Sequence, residues 1–307
     1  MPDIAIMIEG QQGLTWDRWQ RIARTVEDLG FDGLFRSDHF TDADGTTDDS
    51  LELWTSLTWL ADNTDDIEFG PLVTPVSFRH PVFTARMGKD VDNLADGRLV
   101  LGVGAGWQEY EHDTFGFDLL PVEQRFDRFE EGVHVVASLL RADEPVSFDG
   151  EYFELDGATL LPRPERPGGT RLLVGGNGPN RTLALVAEYA DEWNGVMLRP
   201  EEYSRLNDRL DDLLREEGRD PDDVRRSLMV PVVFGRDEDE LKAVLDGRDP
   251  DELRAEGHVV GTPGEVREQL DAIEDAGADR VMLQWLAMED FDRLTALADA
   301  TLSATHR

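Results

Sequence analysis

Residues 4–36 read IAIMIEGQQGLTWDRWQRIARTVEDLGFDGLFR. Ile4–Glu9 is a short run of β-formers, and from about Thr15 to Leu29 the apolar residues recur at helical spacing. Gly30 stands just past that helix, where a left-handed C-cap favours glycine. Gly33–Arg36 is a second β-like run. Strand, helix and strand in this order predict one β-α-β unit of a parallel sheet.

The same alternation continues outward to the end of the chain. Leu51–Ala61 predicts a helix, Ile67–Val73 a third strand, Pro81–Leu94 a helix and Arg98–Val103 a fourth strand. A glycine turn and a helix near Val122–Leu140 follow. An interruption comes next, over about residues 142–170. Val146–Leu155 holds the Asp149-Gly150 turn between β-formers and predicts a hairpin, and Pro162, Pro164 and Pro167 lead out of it. Strand Arg171–Val174, helix Pro179–Tyr189, strand Glu192–Met197 and helix Glu201–Glu217 resume the pattern. Leu228–Phe234 is a seventh strand, followed by an acidic helical segment and a linker-like stretch at Gly247–Gly257. Helix Pro263–Ala276, with Thr262 as cap and proline at its first position, strand Arg280–Gln284 and helix Phe291–Leu302 complete the chain. Eight strand–helix pairs predict a single-domain (β/α)8 barrel over residues 1–307, with an insertion after strand four. A doubly wound sheet alternates in the same way.

Charge and composition exclude several classes of function. Thirty basic residues stand against 66 acidic ones, a net charge of −36 that opposes phosphate backbones and anionic bilayers. Nucleic acid and membrane partners are therefore not expected, and a small-molecule substrate is. The chain has no cysteine, so disulfides, cysteine-ligated metals and thiol nucleophiles are ruled out. The first residues lack a basic, apolar leader, and the longest nearly apolar run, Val281–Met288, is far short of a membrane span, which predicts a cytoplasmic protein. Only Lys89 and Lys242 are lysines, and the acidic residues are spread along the whole chain. Such a coat suits a halophilic cytoplasm, where molar salt screens self-repulsion. The thermal midpoint is accordingly expected to rise from dilute buffer to concentrated KCl; a flat response would sink that reading.

In a barrel the reacting groups sit at the C-terminal ends of the strands. The second strand ends in Arg36-Ser37-Asp38-His39, the third in Pro71-Leu72-Val73-Thr74-Pro75, the fourth in Gly102-Val103-Gly104-Ala105-Gly106-Trp107 and the fifth in Gly175-Gly176-Asn177-Gly178. A dinucleotide fingerprint from Gly102 would require glycine where Trp107 stands. The two glycine turns can still bring backbone N–H groups close to an anion, the second at the start of a helix, and together they point to a phosphorylated ligand. Asp38 and His39 are the candidate catalytic pair, His39 as the proton-transfer group near neutral pH. His80, His134, His258 and His306 fall at a helix start, inside a helix, in a loop and at the terminus. Glu109-Tyr110-Glu111-His112 fits no metal-ligand spacing and reads as a solvated acidic loop, so no metal is expected. Trp16, Trp54, Trp59 and Trp193 read as core, whereas Trp107 could wall a ring-binding pocket.

These segments are familiar in combination. Leu29 to His39, Gly102 to His112, Arg125-Phe126-Asp127-Arg128 with Glu130-Glu131, Phe148 to Tyr152, Val174 to Gly178 and Tyr189 to Asn194 together resemble the bacterial-luciferase-like oxidoreductases. The likeness runs over nearly the whole chain and is that of the branch using coenzyme F420, a deazaflavin hydride carrier. The resemblance implies a barrel, usually a homodimer, that binds F420 or, alternatively, flavin mononucleotide (FMN) at its C-terminal face. It implies a non-proline cis peptide at Pro71–Leu72 or its immediate neighbour, backing the cofactor ring. It implies that Thr74, the turn Gly104-Ala105-Gly106-Trp107 and Gly175-Gly176-Asn177 contact phosphate and linker. Asp38 would meet the ring's polar edge and His39 the substrate. One position departs: the sugar-phosphate dehydrogenases of this group carry a catalytic glutamate where this chain has Trp107, and Glu109 comes two residues later. The implied activity is hydride transfer between the deazaflavin C5 and a small organic substrate. An FMN-dependent monooxygenase and a non-catalytic cofactor-binding barrel are the alternatives.

Overall fold

The structure, a computed structural model, describes residues 1–302, so His306 lies outside the described residues. Its elements are β1 (Asp3–Ile8), α1 (Trp16–Leu29), β2 (Gly33–Arg36), α2 (Leu53–Asn63), β3 (Glu68–Pro71), β4 (Thr74–Pro75), α3 (Pro81–Leu94), β5 (Val100–Gly104), α4 (Glu109–Phe115) and α5 (Val122–Arg141). There follow β6 (Val146–Asp149), β7 (Glu154–Ala158), β8 (Arg171–Gly175), α6 (Arg181–Tyr189), β9 (Glu192–Val196) and α7 (Pro200–Glu216). The chain continues through β10 (Arg225–Phe234), α8 (Glu238–Leu245), α9 (Pro250–Ala255), β11 (Val259–Gly261), α10 (Pro263–Asp275), β12 (Arg280–Gln284) and α11 (Phe291–Thr301).

The parallel strands run in the order β3-β2-β1-β12-β10-β9-β8-β5-β4. A bridge from Phe69 to Leu99 joins β3 to the start of β5, and the Thr74–Val103 pairing joins β4 to its end. The circle closes into a parallel barrel ringed by helices. Both faces of its strands are buried. Ile4, Ile6 and Ile8 of β1 pack outward against the helices, while Ala5 and Met7 join Phe35, Leu72, Leu173, Met229 and Met282 in a separate cluster inside the barrel.

Local chemistry explains the boundaries. Thr15 caps α1 by accepting from the Arg18 N–H, and Gly30 ends it at φ 83°. The third strand is not continuous over Ile67–Val73: a cis peptide at Leu72–Val73, the immediate neighbour of Pro71–Leu72, splits it into β3 and β4. This bulge also explains the glycines opposite. A Cβ on Gly102 would lie 2.1 Å from the Pro71 carbonyl oxygen, and one on Gly104 would lie 2.5 Å from Val73 Cγ2. Those two glycines therefore serve close strand packing.

Three further expectations are corrected. The Gly247–Gly257 stretch holds α9 and leads into β11, which pairs with β10. The helix after β8 starts at Arg181 rather than Pro179. Trp16 is 38% exposed: it shares the stripe of Trp19, Ala23 and Val26 but, as the first residue of α1, stands at the helix end. The hairpin β6–β7 is held on α5 by Glu131, whose carboxylate accepts from the N–H groups of Glu151, Tyr152 and Phe153. Among the described residues no helix is long and apolar enough to cross a membrane.

Candidate active site

A cavity of about 540 Å3 opens at the C-terminal mouth of the barrel. It is lined by Asp38, His39, Leu72, Gly104, Ala105, Gly106, Trp107, Gly175 and Gly176 from the sequence-derived set. Pro71, Thr74 and Asn177 are not among its lining residues. Pro71 ends β3 beneath the bulge, Thr74 lies behind Asp38, and Asn177 clamps β9, donating to the Val196 carbonyl at 2.8 Å and accepting the Val196 N–H at 2.9 Å. The Gly176 N–H is also occupied, bonded to the Asn194 carbonyl at 3.0 Å.

Asp38 follows β2 and is buried. Its Oδ2 accepts from the Thr74 hydroxyl at 2.7 Å, and both oxygens accept from the Arg79 guanidinium, which also reaches Glu52 at 3.0 Å. Burial raises this carboxyl above the usual range, against the pull of Arg79 and Thr74. With its oxygens so engaged, Asp38 forms part of the wall.

His39 is different. Its Nδ1 lies 2.8 Å from Glu111 Oε1, its ring meets Trp107 edge-on at 5.6 Å, and its Nε2 has no protein partner among the described residues. Burial alone would lower its pKa, but the hydrogen bond and charge of Glu111, with Glu9 and Asp38 nearby, outweigh this and raise it above the ordinary value. Trp107 is 60% exposed and flanks the mouth.

The segment Glu109–His112 is not a solvated loop. It begins α4, with Glu111 and His112 each 1% exposed and Glu109 turned to solvent. His112 Nδ1 faces the Gln108 carbonyl at 2.7 Å and its Nε2 the Ser77 hydroxyl at 2.7 Å, and burial lowers its pKa. Both nitrogens are thereby occupied, and no cluster able to hold a metal occurs among the described residues.

Several lining residues were not legible as such. Glu9 stands one residue past β1 and accepts from Gln284 at 2.6 Å and Gln11 at 3.1 Å; its place at a strand end was the available signal. Arg125 of α5 donates to the Gly106 carbonyl at 3.1 Å and the Leu120 carbonyl at 3.3 Å, with no carboxylate in ion-pair range among the described residues. In a chain this acidic, a cavity guanidinium without an anionic partner was not visible from composition. Met7, Met229 and Leu72 form the apolar floor.

A larger cavity, about 800 Å3, lies at the opposite end among Asp3, Glu68, Arg225 and Arg280. Its arginines and Glu68 are tied together in an ion network, and it lies at the face where barrels place no chemistry.

A closed parallel barrel with a braced histidine in a C-terminal cavity has the architecture of a barrel enzyme. Residues 4–249 match the luciferase-like monooxygenase family, and the chain belongs to it. The chain is 28% identical over 257 residues to the phthiodiolone/phenolphthiodiolone dimycocerosates ketoreductase of Mycobacterium tuberculosis, covering 82% of this chain and 65% of the relative. It is 32% identical over 220 residues to the F420-dependent glucose-6-phosphate dehydrogenase of Microbacterium testaceum, covering 70% of this chain and 63% of the relative. The chain thus spans just under two thirds of the length of these curated relatives. A solved F420-dependent secondary alcohol dehydrogenase, in complex with an F420-acetone adduct, shares the fold with a TM-score of 0.83 at 22% identity, covering 98% of this chain and 99% of that one.

Proposed function

We propose that the protein is a coenzyme F420-dependent oxidoreductase that moves a hydride between the deazaflavin C5 and a small, uncharged alcohol or carbonyl compound. The observation that carries this reading is His39, held by Glu111 with Nε2 left for a ligand in the C-terminal cavity. Relatives named for F420 support the cofactor. The cavity fits such a group: its volume lies in the ligand-pocket range, its floor is apolar, and Arg125 offers a cation to a phosphate. When bound, the deazaflavin supplies the hydride-carrying carbon that no side chain provides.

The protein's part is to orient and to move a proton. His39 Nε2 donates a proton to a carbonyl oxygen during reduction, or takes one from a hydroxyl during oxidation. Trp107 walls the mouth beside it. The substrate's charge follows from the lining. Glu9 and Glu111 approach the His39 end, and both lysines lie elsewhere, on α3 and α8. A phosphate on the substrate would face carboxylates at that end, so an uncharged substrate fits better than a sugar phosphate.

The test is a fluorescence titration in concentrated KCl with oxidised F420 and, separately, FMN. Saturable binding with preference for F420 supports the reading. The opposite preference would make the chain an FMN-dependent monooxygenase, checked by oxygen uptake with a flavin reductase. Binding of neither would remove the cofactor from the proposal. In the same assay Arg125→Ala is expected to weaken F420 binding about ten- to a hundredfold, as for loss of a charged contact of roughly 1.5–3 kcal/mol. An unchanged affinity would place the phosphate elsewhere. A homodimer belongs to the same proposal and is read by light scattering.

A further inference from the structure

We infer that Glu111 is the positioning residue for His39: it fixes the neutral imidazole as the Nδ1–H tautomer and leaves Nε2 as the only nitrogen free to exchange a proton with a ligand. This rests on the proposed role of His39 and extends it to a residue that does not itself react.

The geometry separates positioning from acid catalysis. Glu111 is buried, and its two oxygens hold different partners: Oε1 faces His39 Nδ1 at 2.8 Å, and Oε2 accepts the Phe40 N–H at 2.9 Å. The carboxylate thus grips a side chain and the adjacent backbone together. It ties the segment after β2 to α4, which follows β5. A carboxylate engaged at both oxygens is poorly placed to reach a substrate, whereas one bonded to Nδ1–H orients the ring and stabilises its protonated form. Glu111 is therefore not a substitute for the glutamate that Trp107 displaces. Glu109 is not one either, because it faces solvent. The charged groups around the imidazole are Glu111 from α4, Glu9 after β1 and Asp38 beside it, the last engaged with Arg79. Of these only Glu111 bonds the ring.

The experiment uses the full chain without cofactor, so its outcome stands apart from the F420 reading. Protein labelled with 15N-histidine is titrated by NMR, with His39→Gln identifying the His39 signals. In the wild type the neutral ring is expected as the Nδ1–H tautomer. In Glu111→Leu, the titration midpoint should fall by about one pH unit or more, with a mixture of tautomers. Glu111→Gln keeps an acceptor for the Phe40 N–H but loses the charge, and should also lower the midpoint. Glu111→Asp should restore part of the shift. Thermal melts report whether each variant is folded. A folded Glu111→Gln variant with the wild-type midpoint and tautomer would overturn the proposal. Failure of the wild-type chain to bind F420 in the separate titration, alongside the expected NMR result, would instead sink the cofactor reading and leave Glu111 in its role.

Discussion

His39→Ala is expected to lower kcat/KM by about 10²–10⁴-fold, the usual contribution of a positioned acid or base. F420 affinity should stay within about twofold, because the proposal assigns the imidazole to the substrate and the apolar floor and Arg125 to the cofactor. The ratio is obtained by following F420 absorbance with saturating cofactor and a panel of secondary alcohols and ketones. A variant as active as the wild type would remove His39 from the mechanism. The pH dependence has a definite sign. The His39 pKa is raised, so in the carbonyl-reducing direction activity should be full at low pH and fall as pH passes upward through that value. In the alcohol-oxidising direction the limb is reversed. The same shift contributes to stability. The contribution is complete below the ordinary histidine value and is lost as pH rises through the raised one.

Arg280→Ala is expected to cost about 3–5 kcal/mol of stability, the range for leaving a buried charge without its partner. Arg280 begins β12 at the N-terminal end of the barrel and is 1% exposed. Its guanidinium bonds Glu68, and it faces the buried Glu192 at 3.3 Å. Arg171 and Arg225 also reach Glu68, so Glu68 keeps cations after the change. Glu192 has Arg280 as its ion-pair partner among the described residues and does not. A thermal melt in concentrated KCl should show the midpoint falling by roughly ten degrees. Arg225→Ala, at a more exposed position, should cost much less. A drop of less than about two degrees for Arg280→Ala would show that the network carries little stability.

The order of strands and helices was legible because each element carries its own period and its own punctuation. Gly30 and Thr262 mark boundaries by local chemistry, and the hairpin read at Asp149-Gly150 forms, with Asp149 the last residue of β6 and the turn running over Gly150–Phe153. The glycines of β5 were legible as glycines, although not for their reason. Their neighbour is the Pro71–Val73 bulge, a strand that meets them only once the barrel closes. The acidic stretch at Glu109–His112 misled for a similar reason. A carboxylate on an exposed loop and one buried against an imidazole look alike in one dimension, and here the partner His39 lies 72 residues earlier.

The sequence by itself therefore determined the strand–helix alternation from which the barrel is built and the C-terminal strand ends as a set of candidate positions, His39 among them, since propensity, periodicity and side-chain chemistry act over a few residues. Only the tertiary structure decided which of those positions share a cavity. It engaged Asp38 with Arg79, turned Asn177 onto β9 and brought Glu9, Glu111 and Arg125 to the mouth. Those pairings join strands and loops far apart in the chain, and their electrostatics depend on burial that exists only after the barrel has closed.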